Sequence, residues 1–503
     1  MERKIISEHL FVFPFSWKCH RKSNDALFHQ HTQIKGKSFE SLGYWKAHNL
    51  VIETYKDYNE YVYFYKPIRT ALYTFQSAPI IVRNYEYEEL DETSHFKITK
   101  DGKCYELGIK QIDLKLYKTG IGLLSFRLIN NNYDKIEEIE AINSFNQCVY
   151  PPLLPIEEAR RVGLPQEVTI CLNWRIQIRE DFQSLDYDET LAISPLIMKV
   201  LGKPFECKGE LTSYDQILIE PILGNQMFCC CMYYKGHLVS EIYEGKVHLE
   251  VLSGLMTNNK KSNALEEIEK LLGVSESSYL KCREYLYGIN RFMLLCITKE
   301  PIHNRFYDQL VKLVLMQRAT LLNLSSELAR ISTLPKCELP SAIASIYEIY
   351  IQFINQLYFK EVTEDPEGAY IYEQLSKAFK INEELEQLNF EIDEVHEYAT
   401  LVEQSSSNIK VQLLTIIGAA LVLPSFVTGF FGMNIFQKEA PYWWHNRAVG
   451  LWLNSYVLLP ILVVVALCIW TKRRTTKSII MKVIMGFLLI VSVSFTIRYG
   501  CGL

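Results

Sequence analysis

"TGFFGMNIF", residues 428–436, ends a run that carries no charge after Lys410, and its apolar character stops at Asn434. An amide at the end of a long greasy helix needs a physical reason, and the rest of the chain is read outward from it. Val411–Phe431 is 21 residues without a charge, enough at about 1.5 Å per residue to cross a hydrocarbon core of about 30 Å. Leu451–Trp470 is a second uncharged stretch, of 20 residues. Ser478–Tyr499 is a third. Lys482 near one end of it can snorkel to the interface, so a third span is expected, with a helix lying on the membrane surface as the alternative.

Orientation follows from positive charge. "TKRRTTK", residues 471–477, has four Lys/Arg in seven residues and is expected as a cytoplasmic loop. Two crossings before it put the large N-terminal part in the cytoplasm too, in a multi-pass protein of the inner (plasma) membrane. The external loop, 433–450, then faces outward, and Trp443, Trp444 and Trp452 lie near the interface, where aromatic side chains anchor.

Upstream, no Pro or Gly appears from Ala369 to Ile417. Ile371, Leu375, Ala378, Ile381, Leu385, Leu388, Ile392, Val395, Ala399 and Val402 recur there every three or four residues. The spacing predicts one stalk helix over 369–410 with a coiled-coil seam, running straight into transmembrane helix 1 at 411–432. About fifty residues make roughly 75 Å of helix, longer than a globular core needs. That favours a stalk shared between subunits over an intramolecular bundle. "NALEEIEKLLG" (263–273), "FYDQLVKLVLMQRATLLNLSSELARIS" (306–332) and "SAIASIYEIYIQFINQLYFKEV" (341–362) also have helical spacing and predict a cytosolic helical region over 259–368. Pro335, Pro340 and "EDPEG" (364–368) mark its breaks.

Residues 1–258 read as a cytosolic domain of α/β or α+β class, with strand order unreadable. "GIKQIDLKLYKTGIGLLSFRLIN" (108–130) predicts two strands joined at Thr119-Gly120, with Ile112, Leu114 and Leu116 alternating. "EVTICLNWRIQI" (167–178) and "GKVHLEVL" (245–252) are further strand candidates, and "IEEIEAINSFNQC" (136–148) a short helix. The N-terminal "MERKIISEHLFVFPFSW" does not read as a secretory signal, because Pro14 interrupts a short apolar run and no small-residue cleavage site follows.

Composition excludes several classes. A net charge of −5 argues against a large basic surface, so direct nucleic acid binding is not expected. Thirteen cysteines are scattered, Cys229, Cys230 and Cys231 being adjacent, with no CxxC or Cys/His zinc spacing; buried thiols in a reducing compartment are the expectation. There is no GxxxxGK[ST], and "TGIG" is too short for a dinucleotide fingerprint. No Ser/His/Asp, Cys/His or HExxH arrangement has convincing spacing, so an enzyme is not expected. The acidic pairs Glu266-Glu267 and Glu383-Glu384 read either as regulatory Mg²⁺ sites or as solvated helix faces, the second being favoured.

Within the first span, Asn408, Val411, Thr415, Gly418, Val422, Ser425, Gly429 and Gly432 follow one another at three or four residues, while Leu413, Ile416, Leu421, Leu423, Phe430 and Phe431 hold other faces. Such a stripe either packs tightly against another helix or lines a pore. A seam that gathers several copies favours the pore, with Asn408 and Asn434 at its mouths. A ring of Asn side chains offers carbonyl oxygens to a cation without a fixed negative charge. Mg²⁺ gives up water reluctantly, and a neutral ring can hydrogen-bond those waters and select by size without trapping the ion. Alternatively, Asn434 only caps the helix C-terminus.

"GFFGMN" at the end of a first span, with a second span close behind and a basic cluster beyond, resembles the CorA family of magnesium transporters, as does "NIKVQLLTII" beginning at Asn408. The likeness covers about 370–475. It implies a homopentamer embedded in a lipid bilayer, a cytosolic α/β domain, an inner ring made by the first span and an outer ring made by the second, at 451–470. By position, Gly432, Met433 and Asn434 would form the selectivity filter, Asn434 holding a hydrated metal ion in its outer sphere. Asn408, Val411, Leu414, Gly418, Val422, Ser425 and Gly429 would line the pore. Mg²⁺ would be the transported or regulatory ion. Three features depart from the family. The outer loop carries Lys438 and Arg447 against Glu439, a third apolar segment occupies 478–499, and the first 250 residues match no family pattern. These departures resemble a subset of CorA-like proteins found with antiviral CRISPR systems, which implies a membrane effector gated by a nucleotide second messenger, with no ligand-binding residues identified. A non-conducting anchor for a cytosolic binding domain is the remaining alternative.

Overall fold

The computed structural model describes residues 4–19, 41–74, 80–88, 90–150, 163–173, 176–182, 193–207, 216–224, 226–244, 254–256, 279–281, 285–299, 305–336, 338–432, 450–451, 453–470 and 476–500. The chain divides into two units, one of residues 1–335 and 341–394, the other of 336–340 and 395–503.

The first unit opens with β1 (Ser7–Cys19), β2 (Ser41–Leu42), β3 (Trp45–Ala47), α1 (Tyr55–Tyr63), α2 (Lys66–Leu72), β4 (Val82–Tyr87), β5 (His95–Lys100), β6 (Lys103–Tyr117), β7 (Ile121–Asn130) and α3 (Ile136–Asn143). It continues with β8 (Glu167–Leu172), β9 (Ile176–Asp181), α4 (Pro195–Leu201), β10 (Phe205–Glu206), β11 (Ile217–Pro221), β12 (Phe228–Tyr233), α5 (Gly236–Tyr243), β13 (Tyr279–Lys281), β14 (Tyr285–Ile289) and β15 (Met293–Thr298). Helices α6 (Arg305–Ser332), α7 (Leu339–Gln356), α8 (Pro366–Ala378) and α9 (Ile381–Gly432) follow. The described strands form one mixed sheet along the path β13-β14-β15-β12-β1-β7-β6-β4-β3-β2. β12 runs parallel to β15 and β10 parallel to β11, and the other described pairs are antiparallel.

β1 explains the apolar N-terminus. It is an interior strand buried on both faces, as its nearly continuous apolar run requires. Phe11, Phe13, Phe15 and Trp17 recur at the strand period and join one core, where Phe11, Phe96 and Phe126 meet Phe145 at ring separations of 5.0, 4.7 and 5.6 Å. Pro14 lies where it costs no ladder bond on one side. β12 pairs with β1 only as far as Val12, and β11 begins at Phe15. Gly122 of β7 is required by the same core, since a Cβ there would stand 2.3 Å from the Phe15 ring. α3, α4 and α5 contribute to this core through Ile139, Leu196 and Leu238, while α6 packs on β1 and β7 from the opposite face.

Four expectations are corrected. The helical region does not begin at 259: residues 279–298 form β13, β14 and β15, and helix resumes at Arg305. β15, "MLLCIT", is buried along its whole length, and a strand covered on both faces shows no period-two signature. The stalk is not one helix from 369. α8 ends at Ala378, Lys380 takes a left-handed conformation with φ 54°, and α9 starts at Ile381. Nor is the first half of the seam reserved for other subunits. Ile371, Leu375, Ile381, Leu385, Leu388 and Ile392 are buried within the single chain, where α9 meets α6 through Glu384–Arg318 at 2.8 Å and Glu391–Ser325 at 3.4 Å. "EVTICLNWRIQI" is also a hairpin, β8 and β9, rather than one strand. "GKVHLEVL" and "NALEEIEKLLG" lie outside the described residues.

The second unit holds the rest of α9 with α10 (Leu459–Trp470) and α11 (Thr476–Gly500). A π-turn, Asn454–Leu458, leads into α10. Asn454 Nδ2 donates to the Ser492 carbonyl at 2.9 Å and to Thr496 Oγ1 at 2.8 Å, and Ser492 Oγ donates to Asn454 Oδ1 at 3.0 Å. Among the described residues α9 is the one helix long and apolar enough to cross a membrane; 454–463 and 485–498 are shorter apolar helical stretches.

Candidate functional site

Asn408, Val411, Leu414, Gly418, Val422, Ser425 and Gly429 all lie on α9 and are all exposed in the single chain. Val411 is 57% exposed, Leu414 69% and Val422 66% in the single chain, an apolar surface of the kind that packs against a partner or a membrane. A Cβ at Gly418 or Gly429 would meet nothing within 4 Å. Among the described residues these glycines therefore answer to no packing need, and their small size is available to a neighbouring helix. Pro424, buried within α9, removes one backbone donor from the helix ladder. Thr415 and Thr428 turn their hydroxyls onto the carbonyls of Val411 and Pro424, both at 2.9 Å. Gly432 is the last residue of α9. Met433, Asn434 and the rest of the outer loop to residue 449 lie outside the described residues, as do Glu266-Glu267. Glu384 is engaged by Arg318, and the described residues hold no cluster of three or more metal-ligating side chains.

Two features escaped the sequence reading. The first is a Ser7–His9–Asn143 chain: Ser7 Oγ lies 2.8 Å from His9 Nε2, and His9 Nδ1 2.8 Å from Asn143 Oδ1. The connectivity resembles a hydrolase triad, but Ser7, His9 and Asn143 are all 0% exposed, and Ser7 Oγ also accepts from Asn130 Nδ2 at 2.9 Å. Burial pulls His9 down to about 4 despite its Asn143 hydrogen bond, so it stays neutral as a core group. Cys229, Cys230 and Cys231 are buried on β12 beside it, burial pushing the Cys230 thiol up to about 12. Such thiols are inert rather than redox-active, and each cysteine whose side chain is described is free.

The second is a cavity of about 100 Å³ in the first unit, lined among others by His48, Glu60, Asn84, Asp113, Lys115 and Lys312. It exists because β6 alternates. Ile112, Leu114 and Leu116 enter the aromatic core, which turns Asp113 and Lys115 to the face covered by α6. Lys312 Nζ of α6 donates to Asp113 Oδ2 at 2.6 Å, and Arg127 of β7 pairs with Asp308. Lys115 is buried and donates to the Leu72 carbonyl at 2.9 Å and to Gln309 Oε1 at 3.1 Å. Burial, aided by Lys312, drags its ammonium down to about 7, while Asp113 and Glu60 pull the other way. Lys312 is also lowered by burial, with Asp113 opposing. His48 and Glu86, 3.5 Å apart and about half exposed, stand at the mouth.

Residues 317–473 match the family model described as CorA-like Mg2+ transporter protein. The match begins within α6, takes in all of α9 and ends just beyond α10; it covers under a third of the chain. No curated protein and no solved structure matches. Over these residues the C-terminal part of the chain is similar to that family.

Proposed function

We propose that this chain is the subunit of a CorA-type channel for divalent cations, Mg²⁺ foremost, assembled as a homopentamer in the inner membrane with its sheet unit in the cytoplasm. The observation that carries this reading is the family match over 317–473, which spans the whole of α9. The exposure of that helix supports it. Leaving a large aliphatic side chain in water forgoes about 1.5–3 kcal/mol, and α9 does so at Val411, Leu414 and Val422. Lipid on one side of the helix and identical helices on the other would remove that cost.

In this reading Gly432, Met433 and Asn434 of each subunit form the outer filter. The Asn434 amides accept hydrogen bonds from the water shell of Mg²⁺, which the ion surrenders reluctantly. With no carboxylate in the ring the ion is held weakly enough to leave. Below it Gly429, Ser425, Val422, Gly418, Leu414 and Val411 form a narrow path with little charge, and Asn408 stands at the cytoplasmic mouth. α10 and α11 form the outer ring as second and third spans, joined by Asn454, Ser492 and Thr496. Lys438 and Arg447 against Glu439 leave the outer loop without a negative field to concentrate cations, so passage should saturate poorly at low external Mg²⁺. The test is complementation of a strain that requires added magnesium. Growth restored by the wild-type chain supports conduction; a chain that is expressed and membrane-inserted yet restores none contradicts it.

A further inference from the structure

We propose that the cavity enclosed by β4, β6, β7 and α6 binds a phosphate group, free or as a monoester, with a P–O⁻ oxygen on Lys115 and the P–OH on Asn84, and that its occupancy regulates conduction. The regulatory half rests on the channel reading; the binding half does not.

Four observations meet in this cavity. Lys115 is a buried cation whose hydrogen bonds go to neutral groups, the Leu72 carbonyl and Gln309 Oε1. An ammonium has three N–H groups, and these two bonds leave one for a ligand. Second, Asn84 Nδ2 donates to the same Leu72 carbonyl at 3.2 Å, so the amide and the ammonium converge. Asn84 Oδ1 is buried with no hydrogen-bond partner among the described residues, an acceptor that needs a donor. Third, the two neighbouring cations on β7 and α6 are already matched, Lys312 by Asp113 and Arg127 by Asp308, while Glu60 in the lining accepts from Tyr73 and Gln309. Fourth, about 100 Å³ is room for several waters, and so for one tetrahedral oxyanion.

The ligand must therefore bring an anionic oxygen and an O–H donor a short distance apart. Protonated phosphate and phosphate monoesters carry both on one atom. Sulfate and carboxylates carry no proton at neutral pH and would leave Asn84 Oδ1 unpaired. A remainder attached to a monoester would leave past His48 and Glu86 at the mouth.

A route to the pore follows from α6. Gln309 and Lys312 lie on its first turns at the cavity. Arg318 and Ser325, further along the same helix, hold Glu384 and Glu391 of α9, and α9 runs on to Gly432. Seating an anion beside Gln309 and Lys312 changes the charge balance that fixes α6 against the sheet, and α6 meets the helix that forms the pore.

The test is titration calorimetry of the full-length chain in detergent, slightly acidic so that Lys115 is charged, with inorganic phosphate, glycerol 3-phosphate and sulfate. We expect phosphate or its ester to bind at least about tenfold more tightly than sulfate, and Lys115→Met to weaken it by about tenfold or more. The sulfate comparison uses the wild-type chain and stands even if the variant fails to fold. The tighter of the two phosphate probes identifies a free or a carried phosphate. No heat from either at about 10 mM, sulfate binding as well as phosphate, or unchanged binding in a folded Lys115→Met chain each overturns the site. In liposomes, the bound probe on the cytosolic side should change Mg²⁺ flux severalfold in the wild type. Binding without any change in flux overturns the regulation and leaves the site; absence of flux under every condition overturns the channel and leaves the calorimetry to decide the site.

Discussion

Lys115 is buried beside Lys312 and among the described residues makes no direct hydrogen bond to a carboxylate. In the unfolded chain it keeps its proton up to about 10.5, in the fold only up to about 7. Between those values the unfolded state binds more protons, so this lysine destabilises the fold most below pH 7 and progressively less as pH rises toward 10.5. Lys115→Met should accordingly raise the denaturation midpoint more near pH 6 than near pH 9, a difference that chemical unfolding at the two pH values measures. Equal effects at both would show that the lysine is not carrying the buried charge. Gly122→Ala should cost about 1–3 kcal/mol through overpacking against Phe15, read from the same unfolding curves. The alternation of Ile112, Leu114 and Leu116 was legible, and with it the existence of a second face between them. What was not legible is that α1, α2 and α6 cover the polar face, because period two reports only that the two faces differ. Ser7, His9 and Asn143 were invisible for a related reason: 134 residues separate His9 from Asn143, and no spacing rule spans that.

At the scale of elements, long helices were the most readable parts. "FYDQLVKLVLMQRATLLNLSSELARIS" is α6 almost to the residue. The break at Lys380 was not readable, since a left-handed lysine carries none of the Gly or Asn signal that marks such a turn. The uninterrupted heptad-like seam therefore suggested one stalk where the chain makes two helices. β15 was lost to the helical reading because a fully buried strand lacks alternation. In α9, Gly418→Leu should leave the subunit fold unchanged, since among the described residues nothing lies within 4 Å of an added Cβ, yet lower Mg²⁺ flux in liposomes by about tenfold or more through obstruction of the proposed pore. Undiminished flux would place this stripe elsewhere. Asn454→Leu removes three hydrogen bonds between the π-turn and α11 and should lower thermal stability in detergent by about 0.6–2 kcal/mol. No loss on melting would mean that apolar packing alone joins these helices.

At the scale of the whole molecule, the C-terminal part was legible because the bilayer imposes a simple rule: long uncharged helices, basic flanks, small residues where helices meet. The match over 317–473 bears out that resemblance. The sheet was legible only as a class, because β1 draws its partners β7, β11 and β12 from more than one hundred to more than two hundred residues away, and local pattern holds no record of such pairing. The molecule that results joins a sheet unit with a charged cavity to a helix that presents its apolar side chains outward. The most direct measurement is Mg²⁺ entry into liposomes carrying purified wild-type or Asn434→Ala chain, with assembly size checked by native mass. A neutral amide filter predicts that both assemble alike, that the wild type passes Mg²⁺, and that Asn434→Ala loses selective Mg²⁺ entry. Entry persisting in the variant at the wild-type rate and selectivity would contradict it.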